Sequence, residues 1–176
     1  MKLQMPHCLF VLAFSLLASV SSQAQPQIGP PASAPPAAPS SGMLVRVGPE
    51  VTAKAMQDAG YSNVQTTKDK DGRAFVRGEV NSVPVNASHE ECNEKGCRLV
   101  VFWVDFGPQA TIDLDYMNAW NRNFRFARLV QDANARVIFI WHVPLYSGVD
   151  SAYLRVAATQ FASLLKDLLN YTPDKK

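Results

Sequence analysis

The sequence predicts an α+β fold in which helices pack on a mainly antiparallel sheet, and three observations carry that prediction. Strand-like runs between residues 63 and 106 are separated by connections of hairpin length, which antiparallel neighbours can use and parallel ones cannot. The segment that starts near Asp113 reads as a two-faced helix: Met117, Trp120 and Phe124 share one side with Tyr116 flanking them, while Asn118, Asn121, Arg122 and Arg125 line the other. Residues 150–171 place Leu154, Ala157, Ala158, Phe161, Leu164, Leu165 and Leu168 at helical spacing. The predicted order is α-β-β-β-β-α-β-β-α.

Taken in order, the first helix opens at Pro49, where proline is tolerated in a first turn, and closes at Gly60; Val51, Ala55, Met56 and Ala59 share its apolar face. Residues 63–67 form a candidate strand, 68–72 a turn, 73–80 a second strand, Asn81-Ser82 a tight turn and 83–89 a third strand. Pro84 places that third strand at an edge or at a strand start, because proline donates nothing to a ladder. Residues 98–106 are apolar on both faces, which predicts a strand covered on both sides. After the two-faced helix, residues 126–130 and 136–143 make a hairpin across the turn of Asp132 to Ala135.

The chain has 176 residues, and its first 24 read as a secretory signal peptide. Lys2 supplies a positive start, residues 9–20 an apolar stretch, and Ser22 and Ala24 the small residues before a cut. That stretch is too short for a bilayer span, which needs roughly 20 apolar residues, so no stable membrane insertion is expected after cleavage. Residues 25–42 are built from Pro, Ala, Ser, Gln and Gly with an isoleucine and no charge, a composition expected to stay a disordered linker because it cannot bury enough apolar surface to offset chain entropy. Residues 43–176 form one domain, long enough for its own core. Lys2 is the one charged residue removed with the signal, so a net charge of +2 falls to near neutrality, which with export argues against nucleic acid as a partner.

Cys92 and Cys97 are the sharpest chemical feature. In an exported protein, two cysteines with four residues between them read as a disulfide closing a hairpin-like loop, worth roughly 2 kcal/mol in the chain-entropy model. The alternative is a redox-active pair, although such pairs usually have two intervening residues near a helix start. His89 with the two thiols makes an incomplete tetrahedral set, so no metal and no cofactor is expected. His142 alternates with Ile138 and Ile140 and reads as a core-edge residue, while His89 is placed with Glu90 and Glu91 in a polar loop. Asp113 and Asp115 begin a helix and read as capping and dipole-complementing residues. Asp69-Lys70-Asp71-Gly72 resembles the opening of a calcium loop, but Val80 stands where the bidentate glutamate belongs, so the segment is a turn. The stripe of Asn118, Asn121, Arg122 and Arg125 either ties the helix to the sheet or backbone carbonyls, or forms a recognition surface for an acidic group on a protein partner.

Ala59-Gly60-Tyr61, the cysteine segment entering the long strand, and above all Asn118-Ala119-Trp120-Asn121-Arg122 followed by Arg125-Phe126-Ala127-Arg128 make the chain resemble the YbjN family of bacterial sensory-transduction regulators over roughly residues 49–171. The resemblance implies a curved antiparallel sheet with helices packed on it, similar to type III secretion chaperones and often paired into homodimers. It implies no enzyme activity. The export signal and the cysteine pair depart from the cytoplasmic members of that family. The expected function is therefore a non-enzymatic adaptor or chaperone-like binding module, periplasmic or secreted, acting on a protein partner in the cell envelope. The rival is a small periplasmic thiol-redox protein or enzyme using Cys92 and Cys97.

Overall fold

Six strands form one antiparallel sheet in the computed structural model, which describes residues 43–108 and 111–172. The expected signal peptide and linker lie outside the described residues. Helix α1 spans Pro49–Asp58, β1 Ser62–Lys68, β2 Ala74–Val80, β3 Val83–Asn93 and β4 Gly96–Pro108. Helix α2 follows over Leu114–Asn123, then β5 over Arg128–Gln131, β6 over Arg136–Pro144 and α3 over Ser151–Asn170. The order agrees with the one expected. Spatially the strands run β1-β2-β3-β4-β6-β5, so the last hairpin enters through β6 and leaves the short β5 at an edge.

Local chemistry explains the corners. Asn81 and Ser82 both have positive φ, the twist that a two-residue hairpin requires. Asp69 Oδ1 accepts from the Asp71 and Arg73 amides, and Asp132 Oδ1 accepts from those of Asn134 and Arg136, so each aspartate organises its own turn. Asp113 caps α2 by accepting from the Tyr116 amide at 2.8 Å, and Asp150 caps α3 through the Ala152 amide. Pro84 stands second in β3, a strand-start position, although β3 itself is interior.

The three described helices pack on one face of the sheet. Phe139 of β6 contacts Trp120 of α2 and Phe161 of α3, and the Tyr61 hydroxyl donates to the Ala158 carbonyl on α3. At Gly78 of β2 a Cβ would stand 3.0 Å from the Met56 methyl of α1 and 3.2 Å from Val64, so α1 packs closely on the sheet there and a larger residue would require those side chains to shift. The register lines Val76 with Ala87, Ala87 with Phe102, and Phe102 with Trp141, giving a continuous apolar layer under the helices.

The other face differs from the expectation that β4 is covered on both sides. No described helix covers it. One rung runs Gln65, Arg77, Asn86, Trp103, Ile140, Arg128 across all six strands, and Trp103 and Ile140 are only half-buried by their neighbours. The apolar residues of that face shield one another laterally, which leaves the same alternation-free pattern in sequence as a sandwiched strand.

Candidate functional site

The corner joining α2 to β5 is built around Trp120. Its indole is fully buried, stacks on Phe124 with centroids 3.7 Å apart, meets Phe139 and Tyr171 edge-on, and donates from Nε1 to the Ala127 carbonyl at 3.1 Å. To reach that stack, Phe124 leaves the helix in an extended conformation. Arg125 therefore lies beyond the end of α2, and the expected stripe of four residues on one helix face is corrected here to Asn118, Asn121 and Arg122.

These residues divide by role. Asn121 is half-buried, and its carboxamide takes both backbone groups of Leu129: Nδ2 donates to the carbonyl and Oδ1 accepts from the amide, each at 2.9 Å. It imitates a neighbouring strand and closes the outer side of β5. Asn118, Arg122 and Arg125 are exposed. Among the described residues neither guanidinium has an ion pair or hydrogen bond, although Arg122 in the last turn complements the helix dipole.

Two further residues complete this surface; both belong to the segment that carries the family resemblance and to the strand expected over 126–130, which in fact begins only at Arg128 and leaves Phe126 before it. Phe126 is 56% exposed and leans on Trp141 at 5.7 Å, and Arg128 is exposed at the start of β5. Because β5 pairs with β6 only as far as Ile140, the outer side of β6 beyond it carries no strand among the described residues. An open cavity of about 500 Å³ lies there, lined by Arg125, Phe126, Arg128, Val130, Ile140, Trp141 and His142. His142 is exposed at this cavity and not a core-edge residue, because its side chain points to the uncovered face.

Cys92 and Cys97 face each other across the β3–β4 hairpin with their sulfurs 2.10 Å apart. The expected polar loop at His89 to Glu91 is corrected: β3 continues through it to Asn93, held by the ladder to β4. His89 accordingly lies half-buried, with Nε2 2.9 Å from the Thr52 hydroxyl of α1 and a solvent-shielded Nδ1 that makes no well-formed hydrogen bond among the described residues. Burial pushes its pKa below the ordinary 6.5, outweighing the pull of the Glu50 carboxylate and the Ala74 carbonyl toward the protonated ring. Asp105 is held below the usual carboxylate range by its hydrogen bond to the Arg136 guanidinium, so this acid belongs to an ion pair. No cluster of three metal-binding side chains occurs among the described residues.

The family model of YbjN, described as a putative bacterial sensory transduction regulator, matches residues 49–171. The crystal structure of YbjN from E. coli, described as a putative transcription regulator, is similar at 13% identity and a TM-score of 0.47, covering 73% of this chain and 96% of that one. No curated protein matches the sequence. The match over residues 49–171 includes both the Trp120 corner and the cysteine hairpin, and by it the chain belongs to the YbjN family.

Proposed function

We propose that this member of a regulator family is a non-enzymatic binding module, exported to the periplasm or beyond, that recognises a protein partner in the cell envelope through the α2–β5 corner. The observation that carries this reading is the group of exposed guanidiniums of Arg122, Arg125 and Arg128 beside the exposed ring of Phe126, at the place where β5 stops short of β6. A planar guanidinium binds carboxylates bidentately, and an aromatic ring next to it supplies the apolar anchor usual at protein interfaces. The partner this surface suits presents carboxylates flanking an apolar side chain. Export is supported by the pattern of residues 1–24.

Crosslinking in intact envelopes tests the reading. The wild-type chain is expected to capture a discrete protein partner, and the Arg125→Ala/Phe126→Ala variant to lose it while keeping its denaturation midpoint. Capture unchanged in that variant would overturn the assignment of the surface.

A further inference from the structure

A short strap precedes α1 and is hooked at two places, to the connection between β6 and α3 and to β4. Leu44 and Val149 exchange backbone hydrogen bonds at 2.6 and 2.9 Å, and Val47 and Cys97 exchange two at 2.9 Å. Arg46 between them donates from Nη1 to the Glu91 and Gly96 carbonyls, both at 3.0 Å. All the contacts of Arg46 and Val47 just named fall on the tip of the β3–β4 hairpin. That tip projects past the regular ladders, tied back by the Leu145 amide donating to the Arg98 carbonyl, the Tyr146 hydroxyl donating to the Glu91 carboxylate and the Arg98 guanidinium over the Tyr146 ring. The ladder to β2 ends by Ala87, that to β6 ends at Leu99, and Glu91 adopts a positive φ of 53° that interrupts regular pairing just before Cys92. A two-stranded ribbon is marginal in water, and Cys92 lies beyond the ladders to β2 and β6, so the cross-link to Cys97 adds to these contacts in holding the two strands in the register the strap reads.

We propose that the Cys92–Cys97 bond is a redox-sensitive latch: oxidised, it presents the hairpin tip to Arg46 and Val47, and reduced, it lets the strap of residues 44–47 detach while the sheet and helices stay folded. The co-reactant is a dithiol. Cys92 is exposed whereas Cys97 is 7% accessible, so a thiolate of the reductant attacks Sγ of Cys92. The S–S bond breaks, its electron pair leaves on Sγ of Cys97, and that sulfur takes up a proton. The second thiolate of the reductant then displaces Cys92 from the mixed disulfide, and Cys92 takes up the second proton. Two electrons have passed to the protein and the reductant has become a disulfide.

Amide hydrogen exchange on the full mature chain, with and without dithiothreitol, tests the latch, with trypsin cleavage after Arg46 as a second readout. On reduction, exchange at the Val47 and Cys97 amides and cleavage at Arg46 are expected to speed up about tenfold or more, while the Phe102 and Phe139 amides keep their protection. The Cys92→Ser/Cys97→Ser variant should show the fast exchange without reductant, and Arg46→Ala should show part of it with the disulfide intact. Unchanged protection at Val47 in the reduced protein or in the double-serine variant overturns the proposal. So does a loss of protection that spreads to Phe102 and Phe139, which would make the bond a support of the whole fold and not a latch.

Discussion

At the scale of single residues, burial and backbone chemistry separate side chains that are alike in sequence. Trp120 and Phe126 are both aromatic residues of one short segment, yet the first is sealed in the core and the second is more than half exposed. Trp120→Ala is therefore expected to lower unfolding free energy by about 3 to 5 kcal/mol, measured by chemical denaturation. Arg122→Ala and Arg125→Ala should leave the same curve nearly unchanged, because neither guanidinium is engaged among the described residues. His89 sets a pH dependence whose sign follows from its burial. Its folded pKa lies below the unfolded 6.5, so the unfolded chain binds the proton more readily, and stability that is complete above pH 6.5 declines as the pH falls through the folded value. Denaturation midpoints at pH 7.5 and at pH 5.5 should differ in that direction, and His89→Gln should flatten the difference. Equal midpoints for the wild-type chain would contradict the account.

At the scale of elements, the closure of β5 by Asn121 is the most consequential device at the corner. An edge strand offers its outward amide and carbonyl to any passing chain, and here both groups of Leu129 are already taken by one carboxamide. Asn121→Leu leaves those two groups bare; it is expected to cost about 1 to 3 kcal/mol and to promote concentration-dependent association, seen by sedimentation. Replacing both Cys92 and Cys97 by serine should cost roughly 2 kcal/mol and leave the circular dichroism of the fold intact. What sequence revealed of these elements was what is local. Helical periodicity, the Asn81-Ser82 turn and the Asp113 cap each depend on residues a few positions apart, and the element order follows from them. Asn121 was ambiguous because its target, Leu129, lies across a turn, in backbone that carries no side-chain signature. The run from His89 to Glu91 reads as a loop because its residues are polar and charged, whereas the ladder to β4 on either side of it makes it strand. The strap at 44–47 gave no periodic signal at all, since its contacts with Glu91, Gly96, Cys97 and Val149 are non-local.

At the scale of the whole molecule, the helices packed on one face give the domain a thick side and a bare side. The chain that carries this domain is expected to start at Gln25 once exported, as the small residues Ser22 and Ala24 direct, and intact-mass measurement on periplasmic protein checks it. Recovery of the full-length chain in the cytoplasm would refute both the cut and the compartment. The domain also carries a set of optical labels. Its three tryptophans occupy three different surroundings: Trp120 in the sealed core, Trp141 under the exposed ring of Phe126, and Trp103 half-buried on the uncovered face. Indole emission shifts to the blue as water leaves the ring. Variants keeping a single tryptophan would let one fluorimeter report separately on unfolding, on occupancy of the corner and on anything that lands on the open sheet, with no dye attached.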